Sequence, residues 1–138
     1  MVSFTGSVRG GSRVGELFGK HLKKVQLELG GKNALIILDD ADLDVAASNA
    51  AWGAFMHQGQ ICMATGLVLA DEKIATGLGE RLATKAGHLQ VGDPSGHHVA
   101  LGPIISDQQV AAIQAIVDDA IAKGAQLLAS GTHDGRFY

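Results

Sequence analysis

The sequence predicts an α/β class, and two observations carry that prediction. Short apolar runs of strand character alternate along the chain with stretches whose apolar residues recur every three or four positions. The first strand candidate also runs straight into a Gly-Ser turn and a helix start, which together make a βα unit. Val2-Ser3-Phe4 reads as the end of a strand and Thr5-Gly6-Ser7 as the turn. Val14, Leu17, Phe18 and Leu22 then share one helix face. VQLEL at 25–29 alternates as a strand does, and Gly30-Gly31 breaks it. ALIIL at 34–38 is a continuous apolar run, which predicts a strand buried on both faces.

Asp39-Asp40-Ala41-Asp42 offers N-cap carboxylates for an alanine-rich helix from about Leu43 to His57, ended by Gly59. LVLA at 67–70 is a short strand, and Ile74, Leu78 and Leu82 mark a helix over 72–86. GDPSGHH at 92–98 and Gly102-Pro103 are loop. Ser106-Asp107 opens a helix with Val110, Ile113, Ile116, Val117 and Ile121 on one face, and Gly124 follows its C-terminal end. AQLLAS at 125–130 reads as a last strand. No internal repeat is present.

Composition narrows the function classes. The 138 residues are 46% hydrophobic and 18% charged with a net charge of −3, a globular balance without a basic block. Nucleic acid is therefore not an expected partner. A single cysteine forms no internal disulfide, no apolar run approaches membrane-spanning length, and MVSFTGSVRG lacks the apolar core of a signal peptide. The expected setting is cytoplasmic. Both ends of the chain read as cuts through structure.

Cys62, in GQICMATG, is the first chemical candidate. A lone cysteine is commonly a small buried apolar residue. This one follows a helix end in a glycine-containing turn, where a side chain is readily presented, and its neighbours Ile61, Met63 and Ala64 carry no charge. Glu28, inside LELGG, is the second. Strand alternation permits it to face outward; a carboxylate in an apolar pocket would instead have its pKa raised and serve as a general base. His57 is the histidine nearest Cys62 along the chain, and nothing in the spacing fixes a Cys–His pair. Neither His-x-x-x-His nor Cys-x-x-Cys occurs, so no metal site is expected. Gly-x-Gly-x-x-Gly and the Walker pattern are absent as well, which leaves only the βα turn as a phosphate-facing helix end.

FTGS at 4–7, LELGGKN at 27–33, LDDADLD at 38–44 and FMHQGQICMA at 55–64 follow one another in an order and spacing that resemble the NAD(P)-dependent aldehyde dehydrogenases. LELGGKNA resembles that family's glutamate motif and 55–66 its cysteine motif, with Cys62 placed 34 residues after Glu28. LGPIIS at 101–106 is similar to the family's glycine-proline loop. GQICMATG and the closing GTHDGRFY look most like the benzaldehyde, salicylaldehyde and vanillin dehydrogenase branch.

The resemblance implies roles. Cys62 would attack the aldehyde carbon to form a thiohemiacetal; hydride loss to NAD or NADP would leave a thioester, and the Cys62 N–H would help hold the oxyanion. Glu28 would activate the water that releases the carboxylic acid. Gly6 and Ser7 would meet the cofactor pyrophosphate, and Leu29 would approach the nicotinamide by its backbone. Met56, Ile61 and Met63 would lie beside the aldehyde.

The family's chains are several times longer, so the resemblance implies a partial aldehyde dehydrogenase fold. Residues 1–29 would be the C-terminal part of a Rossmann-like cofactor domain and 30–138 the truncated N-terminal part of the catalytic domain. The parent would be a homo-oligomer, and the fragment alone would be inactive. Gly66-Leu67 stands where many members have Ser-Arg or Gly-Arg. Two other readings remain: a non-enzymatic truncated product, and a cysteine esterase that needs no cofactor.

Overall fold

In the computed structural model, which describes residues 1–96, 98–129 and 133–138, the N-terminal βα unit forms as its sequence suggests. Strand β1 (Val2–Gly6) pairs in parallel with β2 (Val25–Leu29), placing Phe4 opposite Leu27 and Thr5 opposite Glu28. Parallel neighbours need a crossover, and helix α1 (Val8–Lys20) supplies it. Ser7 is its N-cap: the hydroxyl oxygen accepts from the Gly10 N–H at 3.1 Å. Glycine brings this helix close to the strands. A Cβ on Gly11 would stand 2.5 Å from a Leu29 methyl, and one on Gly10 would stand 3.0 Å from the Phe4 ring. Leu22 departs from the expected helix face. The helix has closed two residues earlier, through His21 N–H to the Phe18 carbonyl and Leu22 N–H to the Gly19 carbonyl. Leu22 itself takes a left-handed φ of 52° and is 95% exposed.

The second layer pairs β3 (Asn33–Ile37) in parallel with β4 (Thr65–Ala70). ALIIL is thus a strand, shifted by one residue, but it is not buried on both faces. Leu35 and Ile37 join Val68 and Ala70 beneath helices α2 (Leu43–Phe55) and α3 (Glu72–Gly87), in a cluster centred on Ile37, Ala47 and Leu78. Ile36 on the other face is 67% exposed, and Leu67 and Leu69 are exposed beside it. Among the described residues only one face of this two-stranded sheet carries helices, so the continuous apolar run has cover on one side.

Asp42 caps α2, accepting from the N–H groups of Asp44 at 2.9 Å and Val45 at 3.0 Å. Replacing Asp42 with alanine is expected to cost about 1 kcal/mol, read as a fall in Tm of roughly 4 °C in thermal unfolding. The alanine-rich helix ends at Phe55, not at His57. His57 (φ 49°), Gln58 (φ 60°) and Gly59 (φ 69°) then take left-handed backbone in succession. A right-handed helix cannot continue through such residues.

Beyond α3, the 92–98 segment is loop apart from one short 3₁₀ turn at Pro94–Gly96; His97 lies outside the described residues. Helix α4 (Asp107–Ala122) starts at Ser106, whose hydroxyl accepts from the Gln109 N–H at 3.2 Å. Val110 is buried and Ile113 and Val117 half-buried, whereas Ile116 and Ile121 are exposed, so the inward face is narrower than its periodicity suggests. The expected strand at 125–130 does not form among the described residues. Leu127 and Leu128 are exposed there and no ladder of hydrogen bonds pairs the segment; a strand needs a neighbour as well as apolar side chains. Ser130 lies outside the described residues, as do Gly131 and Thr132 of the closing motif. The strand order is β1-β2 in one sheet and β3-β4 in the other.

Candidate active site

The cysteine loop runs from the end of α2 to the start of β4, and three elements hold it. The first is the left-handed turn. Its Gln58 side chain donates to the Gly102 carbonyl, and Gln60 donates to Gln58 Oε1 at 2.7 Å. This fastens the loop entrance to the Gly102-Pro103 segment.

The second is α2. A Cβ on Gly53 would stand 2.5 Å from Thr65 Oγ1, so the loop exit lies against a bare stretch of helix. The third is the segment that follows Glu28. Asn33 Nδ2 donates to the carbonyl of Cys62 at 2.8 Å and to that of Ala64 at 3.0 Å. Both partners can only accept, so the amide nitrogen must be the atom facing them. Asn33 pairs with Thr65 and Ala34 with Leu67, which leaves Gly66 as a bulge residue between them. The stem of Lys32 occupies the space a Gly66 side chain would need, its Cδ 2.5 Å from an ideal Cβ.

Cys62 is exposed within this frame. The reading of it as a small buried apolar residue is therefore overturned: the tethers hold the loop at its backbone and leave the side chain outside the core. Ala64 N–H closes the turn onto the Ile61 carbonyl at 3.0 Å. Among the described residues, no hydrogen bond uses the N–H of Cys62 or of Met63.

Glu28 is also exposed, on the outward phase of β2, and its carboxylate accepts weakly from Gln26 Nε2 at 3.4 Å. The apolar pocket considered for it is absent here, because strand alternation turns Leu27 and Leu29 inward and Glu28 outward. No hydrogen bond joins it to the cysteine loop. Between them lie Gly30 and Gly31, around whose ideal Cβ positions nothing stands within 4 Å.

A cleft of about 650 Å³ opens beside the turn, lined in part by Trp52, Phe55, Met56, His57 and Lys85. Met56 is thus placed at a cavity, while Ile61, Met63 and Cys62 do not line it. Ile61 is half-buried and Met63 is 68% exposed. His57 lies on the cleft and makes no hydrogen bond to Cys62. The carboxylates held below their usual range, Glu16 by Lys20 and Arg13 and Asp93 by Ser95, lie outside these elements. Among the described residues no group of three His, Cys, Asp or Glu side chains could hold a metal ion.

Asn33, Lys32, Gln58 and Gln60 were not singled out by sequence. The signal available was their place inside the two motifs; a side chain reaching across 29 residues leaves no other trace.

The aldehyde dehydrogenase family model matches residues 1–138. The chain belongs to the aldehyde dehydrogenase family. Benzaldehyde dehydrogenase [NAD(+)] of Pseudomonas putida is 51% identical over the whole chain, which covers 28% of that relative. Vanillin dehydrogenase of an Amycolatopsis strain is also 51% identical over 138 residues, again with 28% of its length covered. Among solved structures, a salicylaldehyde dehydrogenase from Pseudomonas putida G7, complexed with salicylaldehyde, superposes with a TM-score of 0.90 at 43% identity, over 97% of this chain and 28% of that one. The chain thus spans little more than a quarter of these aldehyde dehydrogenases, and its two small parallel sheets are a partial form of the family's fold. No helix among the described residues is long and apolar enough to cross a membrane.

Proposed function

We propose that these residues are the part of an NAD(P)-dependent aldehyde dehydrogenase that carries the nucleophile and the general base, in a protein that oxidises an aromatic aldehyde to its carboxylic acid. The observation that carries this is the exposed Cys62 on a loop whose backbone is tied by Asn33 to the segment directly following Glu28. The aromatic substrates named for the relatives support the aldehyde class.

Cys62 is the nucleophile: its sulfur bonds to the carbonyl carbon, and the N–H groups not engaged in the loop are donors suited to the resulting oxyanion. Glu28 takes a proton from the water that releases the acid. The Gly30-Gly31 connection leaves its strand end free of side-chain contacts. Met56 lines the cleft, and Ile61 and Met63, outside it, flank Cys62 on its own loop, where they would lie beside the aldehyde.

The turn before α1 fits a dinucleotide. Gly6 has no side chain, the Ser7 hydroxyl accepts from the Gly10 N–H, and the first turn of the helix has no acidic residue to repel phosphate. Gly6 and Ser7 would hold the pyrophosphate and the Leu29 backbone would lie toward the nicotinamide, which when bound supplies the hydride acceptor. The element packing favours a division after Leu29. There β1, α1 and β2 form the C-terminal part of a cofactor domain, and residues 30–138 form the first part of a catalytic domain.

A graft tests this. Substituting these 138 residues for the matching segment of the Pseudomonas putida benzaldehyde dehydrogenase is expected to preserve NADH formation from benzaldehyde, while the 138-residue chain alone forms none. A folded graft that binds NAD and fails to oxidise benzaldehyde refutes the catalytic assignment. Steady NADH production by the isolated chain refutes its dependence on further protein. Ester cleavage by the chain, lost in Cys62→Ala and indifferent to NAD, would favour the esterase reading.

A further inference from the structure

The cleft of about 650 Å³ beside the cysteine loop combines aromatic surface with an unpaired cation. Trp52, Phe55 and Met56 line it from the end of α2, and Trp52 is 62% exposed. Lys85, in the last turn of α3, lines it as well. The other cations of α3 are paired, Lys73 with Asp39 and Arg81 with Asp44. Lys85 is half-buried, and among the described residues its ammonium has no hydrogen bond or ion pair. His57 is also on the cleft, and no acidic side chain among the described residues lines it. A half-buried ammonium without a partner leaves part of its desolvation cost uncompensated, which an anion in the cleft would offset. A cation near a helix C-terminus also favours the helix dipole. That role asks nothing of the cleft.

We infer that this cleft binds a small aromatic carboxylate, its ring against Trp52 and Phe55 and its carboxylate on Lys85. An ammonium on a flexible stem meets a carboxylate as a point charge, and aromatic side chains give a ring a large contact area. The volume suits a substituted benzene. The site is distinct from Cys62, which does not line the cleft. Met56, which the family resemblance sets beside the aldehyde, does line it, so the ligand class is that of the acid the proposed reaction releases. This link to the product rests on the proposed function; the binding site does not.

Trp52 is the single tryptophan of the chain, so its emission reports on the cleft directly. Benzoate added to the 138-residue chain is expected to change that emission saturably. Benzyl alcohol has the ring without the charge, and acetate has the charge without the ring; both should bind more weakly. Lys85→Met keeps the stem and removes the charge. It should weaken benzoate binding about tenfold, the loss expected for a hydrogen bond to a charged group, and leave the response to benzyl alcohol unchanged. Lys85→Arg keeps a cation and should retain most of the affinity. Cys62→Ala should bind benzoate as the unaltered chain does.

Benzyl alcohol or acetate binding as tightly as benzoate overturns the assignment, as does unchanged benzoate affinity in Lys85→Met. Equal weakening of benzoate and benzyl alcohol in that variant would assign Lys85 to the helix end and not to the anion, and overturns it too. Loss of the benzoate response in Cys62→Ala would put the ligand at the cysteine, and absence of a saturable response would leave the cleft without this ligand; either result refutes the site. Far-ultraviolet circular dichroism checks that each variant keeps its helices. Failure of the grafted enzyme to oxidise benzaldehyde would remove only the link to the product, because benzoate binding is read without turnover.

Discussion

In the grafted enzyme, Cys62→Ala is expected to lower NADH formation from benzaldehyde by about three orders of magnitude or more, as removal of a covalent nucleophile does elsewhere. The substitution removes one exposed sulfur and leaves the backbone tethers of the loop in place, so folding and NAD binding should survive it. Glu28→Gln gives a different signature. Its amide keeps the size of the side chain but takes no proton from water, so acyl transfer to Cys62 should proceed and release should stall. A rapid NADH burst of about one equivalent followed by a slow phase is the expected trace in stopped-flow measurements. A burst absent from Glu28→Gln would place Glu28 at an earlier step. Full turnover in either variant would remove that residue from the chemistry.

Leu78→Ala should be the most damaging change to the fold. Leu78 is 2% exposed and meets Ile37 and Ala47 where helices α2 and α3 cover the β3–β4 sheet. Emptying such a position costs about 2–5 kcal/mol. Few side chains here are fully enclosed, so little else can absorb the loss, and whole domains are stable by only about 5–15 kcal/mol. Urea titration should show the midpoint falling sharply or the transition disappearing. Leu127→Ala, at an exposed position, is the control and should leave the midpoint in place.

The parts of the fold that could be read in advance are those decided by local chemistry. Asp42 and Ser106 begin their helices because a side-chain oxygen meets N–H groups two or three residues ahead. Val25–Leu29 alternates because one side of the strand lies on α1. What could not be read depends on neighbours distant in the chain. The run at 34–38 promises two buried faces, but cover arrives on one. AQLLAS has the composition of a strand and no partner among the described residues. The site divides in the same way. The resemblance of LELGGKN and GQICMATG to the family's two motifs implies a base and a nucleophile, and the structure leaves Cys62 exposed. The bond from Asn33 to the cysteine loop, the bulge at Gly66 and the left-handed step at His57 and Gln58 exist only once the two motifs are side by side.

The bare face of the β3–β4 sheet has a consequence for handling the chain. Ile36, Leu67 and Leu69 form an apolar surface on strands whose outer edges have no partner strand among the described residues, and a net charge of −3 gives weak repulsion between molecules. Association should therefore be limited by concentration: dilute solutions stay clear and crowded ones scatter light. Lysine at position 67 or 69 should raise the solubility limit without touching the core. The properties that decide whether the chain can be purified thus lie on the sheet face opposite Leu78.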